Sequence, residues 1–391
     1  MRRADIPELR GLLTADQVAQ TAAAIAKVQE RSGAVPWFPG GRIDTWDHVE
    51  CAMALLVGGQ VESSERAYEW LIASQREDGS WPMQMTGGAV DDAGADTNMC
   101  AYIAVGVWHH WLVRQDEAFV TMAWPAVRRA LDFVTGLQLS FGGMAWARNE
   151  TGSVDQTALI AGSSSIHHSL TCGIALSELV DMPQPEWEIA AGRLGHALRE
   201  HEDRFAPKLR FSMDWYYPVL GGAVRGGMAQ TRISRRWDDF VVAGLGIRCV
   251  DDSPWVTGAE TYELALALDA VGDRERAFAL LCDMQHLREA DGSYWTGYVY
   301  PDHARWPEEC STWTAAAVIL AVDALSVATP GSGIFRGTTV PGNLTEIGLE
   351  CGCRSDDESA DRVTGVAVEA GEHPHRTQGA SLYEVSAFER A

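Results

Sequence analysis

Acidic side chains stand at the start of several segments of this chain, with large aromatic side chains beside them. The acidic set is Asp44, Asp47, Glu50, Asp91, Asp92, Asp96, Glu260 and Glu263. Trp46, Trp215, Tyr216, Tyr217, Trp255, Tyr262 and Trp313 accompany it, together with His48, His167 and His168. Such a set can move protons, because burial and like charge keep one carboxyl protonated beside an ionised neighbour. Trp and Tyr faces can stack on sugar rings, sit under a cation, or fill space. Capping alone accounts for Asp44, Asp96 and Glu260, since an acid at a helix start accepts from the free amides of the first turn. It does not account for Asp47 and Glu50, which follow Asp44 inside an otherwise apolar segment. A buried charge without a partner is costly, so these two predict a polar cavity.

Further candidates lie downstream. Cys249-Val250-Asp251-Asp252-Ser253 puts adjacent acids ahead of a helical segment, and Tyr294-Trp295-Thr296-Gly297-Tyr298 forms a second aromatic run. Arg232, Arg235 and Arg236 are the one basic cluster, suited to an anionic head group or to a solvated face. No metal is expected, because no His/Cys/Asp/Glu cluster has ligand spacing. No cofactor is expected either, since Walker loops, dinucleotide glycine fingerprints and Gly-x-Ser-x-Gly elbows are missing.

The 391 residues include 54 acids and 31 bases, a net charge of −23. That balance argues against nucleic acid or an anionic membrane surface as partner. No apolar run is long enough to span a bilayer, and the basic N-terminus lacks an apolar signal region, so the expected location is cytoplasmic. The eight cysteines are scattered and read as reduced thiols rather than a disulfide scaffold. Fifteen Trp outnumber ten Phe and nine Tyr, an unusual demand for large flat surfaces.

Helical periodicity runs from about residue 14 to 328, with no convincing alternating strand. Striped, charged segments (14–29, 63–75, 117–138, 186–202, 273–285) alternate with segments apolar nearly all round (44–57, 96–113, 163–180, 212–224, 260–270, 311–325). A helix apolar on every side is buried, and a striped one covers it. With a weaker outer candidate at 232–242, this predicts an all-α (α/α)6 toroid over residues 1–330, six inner helices inside six outer ones. Residues 331–391 carry acidic clusters and no helical period. They read as a flexible tail, dispensable for folding from about Gly337, although 331–336 can pack back onto the ring.

The joints repeat. Inner segments open with Asp44-Thr45-Trp46-Asp47, Asp96-Thr97-Asn98-Met99, Glu260-Thr261-Tyr262-Glu263 and Ser311-Thr312-Trp313-Thr314. Outer segments close with Gln75-Arg76-Glu77-Asp78-Gly79-Ser80-Trp81, and more loosely with Gln29…Gly33…Trp37, Gln138…Gly142…Trp146 and Gln285…Gly292…Trp295. This closing pattern resembles the QW repeat of squalene–hopene cyclases and other class II terpene cyclases. More loosely, it is similar to the toroid of protein prenyltransferase β-subunits. The resemblance implies an isoprenoid substrate and acid-initiated carbocation chemistry. It places Asp251 on the proton donor of the cyclase Asp-x-Asp-Asp motif and Asp252 on the acid after it, although Cys249 replaces the first Asp. Asp47 and Glu260 stand in reserve as acids. The prenyltransferase zinc set is not found.

On this reading the substrate-binding wall comprises Trp46, His48, Asp96, His167, Trp215, Tyr216, Tyr217, Trp255, Tyr262, Trp295 and Trp313. Two other readings stay open. A carbohydrate-active (α/α)6 barrel would use two carboxylates across a glycosidic bond with Trp and Tyr against the sugars. A non-catalytic binding toroid would use the same wall without chemistry.

Overall fold

A computed structural model describes residues 6–340. Along the chain the helices are α1 (Ala15–Val28), α2 (Thr45–Val57), α3 (Val61–Ser74), α4 (Thr97–Ala101), α5 (Ile103–Arg114), α6 (Glu117–Thr135) and α7 (Ile160–Leu179). They continue as α8 (Pro185–Glu200), α9 (Ser212–Leu220), α10 (Gly226–Arg235), α11 (Trp237–Phe240), α12 (Gly258–Ala270), α13 (Arg274–Asp283) and α14 (Thr312–Ser326). The inner ring runs α2, α4–α5, α7, α9, α12, α14 and closes, because α14 packs back on α2. Outside it, α3, α6, α8, α10 and α13 each cover the inner helix before them, and α1 covers α14 and α2. The predicted toroid is the observed fold. Every residue of α2 is buried, whereas α1 buries one stripe, so the all-round apolar and striped patterns sorted inner from outer correctly.

Two expectations need correction. The weak outer helix lies at Gly226–Arg235, upstream of 232–242. Its Gly226-Gly227 start reads as a break, which hid it. Short strands are also present, all antiparallel and all in the loops between helices. Arg42–Ile43, Gln84–Thr86 and Ala89–Asp92 form one sheet. Ala95–Asp96 pairs with Ala147–Arg148. A five-stranded sheet has the order Ala304–Arg305, Gly297–Val299, Trp255–Thr257, Gly246–Arg248, Val241–Val242. At two to four residues each, these strands are too short to show a two-residue period.

The repeated Gln and Gly tie the outer ring together. The Gln75 side-chain amide donates to Gly79 O at 3.0 Å and to Ala126 O of α6 at 2.9 Å. Gln29 bridges Gly33 O and Ser63 O of α3 in the same way, and Gln138 bridges Gly142 O and Ala190 O of α8. Each glycine takes a positive φ hard against the neighbouring outer helix. A Cβ on Gly79 (φ 89°) would meet Arg129 O at 2.1 Å. Gly79→Ala is therefore expected to cost about 1–3 kcal/mol in chemical denaturation, through strain and clash together. An unchanged midpoint would show that the joint yields. The ring closes where the Gln20 amide of α1 donates to Ala290 O and Arg288 donates to Gln20 Oε1 at 2.6 Å.

The 331–336 segment packs on the helices, with Ile334 and Phe335 buried and Arg336 paired to Asp269 at 2.5 Å. The remaining tail expectations, including the acidic cluster at 356–358, Cys351 and Cys353, lie outside the described residues.

Candidate active site

The N-terminal ends of the inner helices share one mouth of the ring. Asp44, Asp96 and Ser311 cap α2, α4 and α14, accepting from Asp47 N, Met99 N and Thr314 N. Glu260 departs from this pattern: α12 begins two residues earlier, capped at Thr257, so Glu260 lies within the first turn. The hydroxyls of the repeated threonines lock the mouth, Thr45 donating to Met99 O at 2.9 Å and Thr312 to Pro36 O at 2.9 Å.

Within this frame lies a file of buried acids. Asp44, Asp47 and Glu50 come from α2, and Glu260 and Glu263 from α12. Burial, reinforced by Asp44, holds the Asp47 carboxyl well above the ordinary range. Burial, then the Glu263 charge, does the same to Glu50. Glu263 is pushed up by burial to about 8, although two hydroxyls oppose the rise. Tyr216 donates to its Oε2 at 2.5 Å and Tyr217 to its Oε1 at 3.0 Å. Oδ2 of Asp47 and Oε2 of Glu50 have no hydrogen-bond donor among the described residues. Burial thus favours the protonated form of all three carboxyls, and Glu263 differs in having a donor on each oxygen. Burial pushes Asp96 up to about 6, with the Asp44 charge adding to the rise.

Aromatic rings enclose this file. Trp46 stacks on Tyr102 with centroids 4.3 Å apart and meets Trp313 edge-on at 6.3 Å. Trp37 meets the other side of Trp313 at 5.4 Å, under the Arg42 guanidinium at 4.1 Å. The indole N–H of Trp46 donates to Ser165 Oγ at 3.1 Å. Trp313 lies against both Glu50 and Glu263, joining the acids of α2 to those of α12.

Other candidates have different work. Asp251 is half-buried and paired to Arg236 at 2.9 Å, and the exposed Asp252 to Arg210 at 2.8 Å, in a turn before the Trp255 strand. His48 accepts from Val35 N at 3.1 Å and contacts Ala67 O at 2.9 Å. Burial lowers it to about 4, so it is a neutral structural link. His167 does the same for Gly221 O, also lowered by burial to about 4. Trp255 donates to Trp306 O within the five-stranded sheet, and Trp295 to Glu289 at an outer joint. Tyr262 packs edge-on to Tyr294 between the layers. Trp215, itself buried, stacks on Phe240 and donates to Arg232 O. Asp91 and Asp92 hold a hairpin and its exit, bonding Thr86 Oγ1 and Gly94 N. Glu263 was visible in sequence by the logic that exposed Asp47 and Glu50, a charge one turn inside an apolar helix. Tyr216 and Tyr217 of α9 were visible as aromatics of the wall, but not as its donors. Among the described residues no group of three or more His, Cys, Asp or Glu is placed to hold a metal ion.

Solved structures place this architecture. A glycosidase crystallised with glucose superposes with a TM-score of 0.65 at 15% identity, covering 80% of this chain and 97% of its own. The GH63 mannosylglycerate hydrolase of Thermus thermophilus superposes at 0.61 with 14% identity, over 77% and 99%. A D-mannose isomerase follows at 0.59 with 9% identity, over 78% and 96%. At such identities the likeness defines the (α/α)6 fold and not the reaction. No family model matches the chain. The sequence itself is 57% identical over 352 residues to the MMP endo-(1,4)-3-O-methyl-alpha-D-mannosidase of Mycolicibacterium hassiacum, covering 90% of this chain and 98% of that one. The chain belongs to that enzyme's family. This overturns the terpene-cyclase resemblance and its isoprenoid substrate, and leaves the donor role of Asp251 without the resemblance it was drawn from.

Proposed function

We propose that this chain is a glycoside hydrolase that cuts within (1,4)-linked chains of 3-O-methyl-α-D-mannose. The observation that carries this is the 57% identity to a mannosidase of that specificity along nearly its whole length. The acid file supplies the chemistry such a cut needs, namely two carboxyls in different surroundings, one with an oxygen left open and one held by donors on both oxygens. Asp47, protonated and with Oδ2 unpartnered, is the general acid that donates to the glycosidic oxygen. Glu263, fixed through both oxygens, either activates water or attacks the anomeric carbon in its ionised form. Glu50 keeps its proton between them and donates to a sugar hydroxyl. Trp46 and Trp313 form the stacking wall. A cytoplasmic location is part of the proposal; no helix among the described residues is long and apolar enough to cross a membrane.

Incubation with methylated and unmethylated mannan oligomers, read by mass spectrometry, tests the reading. Internal fragments from the methylated chain are expected, and intact oligomers would refute it. The anomer first released, read by NMR, separates the two roles of Glu263. The geometry also sets the pH dependence. An ionised Glu263 is required, so kcat/KM should rise with pH towards the Glu263 value near 8. Removing one donor withdraws support from the ionised form. Tyr216→Phe should therefore move this limb to higher pH, and a limb that stays put would take Glu263 out of the reaction.

A further inference from the structure

Beyond the acid file, on the same side of the ring, a groove of about 1050 Å³ runs between the 202–209 loop and helices α9 and α10. Its wall mixes the buried Trp215 and Phe205 with Leu209 and Met228, which are 60% and 54% exposed. Asp214, 5% exposed, lines it with Oδ2 lacking any hydrogen-bond partner among the described residues. A buried carboxyl oxygen left unsatisfied asks for a donor from a ligand.

The charges lining this groove balance. Arg232 pairs with Glu202 at 2.8 Å, Arg236 with Asp239 at 2.7 Å and Asp251 at 2.9 Å, and Lys208 lies beside Asp214. Of the arginine cluster that the sequence offers to an anionic head group, Arg232 and Arg236 are thus neutralised in place, and the lining Arg235 is matched in number by the lining Asp203. What remains is a neutral surface with apolar patches and an unsatisfied polar atom, complementary to a neutral, hydroxyl-bearing ligand that carries apolar substituents. The groove borders the mouth of the ring, because Asp214 stands in the first turn of the inner helix α9. Lys208 stands within interaction range of both Asp214 and Asp96, and Asp96 of Asp44.

We propose that this groove is a distal subsite that holds the part of an O-methylated mannan chain remote from the cut, with methyl groups against Leu209 and Met228 and a sugar hydroxyl on Asp214. The inference rests on the mannan-cleaving reading above, and deepens it. An enzyme that cuts within a polymer must hold chain on at least one side of the cut, and methyl groups gain from apolar contact that bare hydroxyls lose.

The test is calorimetric, on full-length protein carrying Asp47→Asn so that the ligand survives. Ligands are a methylated tetrasaccharide, a methylated decasaccharide and an unmethylated decasaccharide. The methylated decasaccharide is expected to bind at least about tenfold tighter than the tetrasaccharide. That advantage should collapse when Met228→Glu charges the groove, and also when Thr231→Trp fills it. Both positions are exposed, so unchanged circular dichroism separates loss of the subsite from loss of the fold. Equal affinity for the two methylated lengths, an advantage that survives both variants, or one shared by the unmethylated chain would overturn the subsite. If the unmutated enzyme still cuts methylated chains in that event, the subsite alone has failed. If it cuts none, the reading beneath it has failed.

Discussion

Asp47→Asn should lower turnover on methylated mannan by at least about a hundredfold, the low end of what a general acid supplies. The substitution keeps the shape of the side chain and removes its proton. Asp47 is 8% exposed at the mouth, and its Oδ2 is without a partner, so an amide fits the same space. Asp44 remains the cap of α2, accepting from the backbone of residue 47 at 2.9 Å whichever side chain is present. Burial raises the Asp47 carboxyl, so its loss removes a folding penalty at neutral pH, and the thermal midpoint should hold or rise while turnover falls. A variant that retains turnover within a few-fold would remove Asp47 from the reaction and leave Glu50 as the proton donor.

Glu263→Gln should inactivate the enzyme and at the same time stabilise it at neutral pH. Burial raises this carboxyl from 4.5 to about 8. Below pH 4.5 it is protonated both folded and unfolded, and folding carries no penalty. Between 4.5 and 8 the unfolded chain releases the proton that the folded chain retains, so stability falls as pH rises through that window. Glutamine has no proton to retain and escapes this slope. The thermal midpoint of the variant should exceed that of the parent by at least a few degrees at pH 7, and the gap should close below pH 4.5. A variant that melts lower at pH 7 would mean that the bonds from Tyr216 and Tyr217 outweigh the burial of the charge.

The inner and outer rings were legible in the sequence because an all-buried helix such as α14 leaves no polar stripe, while α6 leaves a broad one. Asp47 and Glu50 were legible for the same reason: nothing else explains charge in the middle of α2. Asp251 misled because a short acidic motif carries no information about exposure; an arginine beside it makes it an ordinary surface pair. The QW-like repeat was read correctly as architecture and wrongly as chemistry. Its glutamine bonds backbone carbonyls, and its glycine lets a turn approach the next helix. Those are requirements of any ring of helix pairs, whatever it encloses. The meeting of α9 tyrosines with an α12 glutamate depends on long-range packing that no local pattern records.

Closure of the ring through α14 and α2 has a consequence for how the protein is made. These helices are adjacent in space and lie at opposite ends of the ring sequence, so α2, buried along its whole length, leaves the ribosome long before its flank exists. Until α14 is synthesised, the side of the nascent helix that α14 will cover is open to water and to other chains. Contacts so distant in sequence form late and slowly. The acids that carry the proposed reaction thus come together only when the last helix docks, and a chain interrupted before residue 312 holds all of them without a working site.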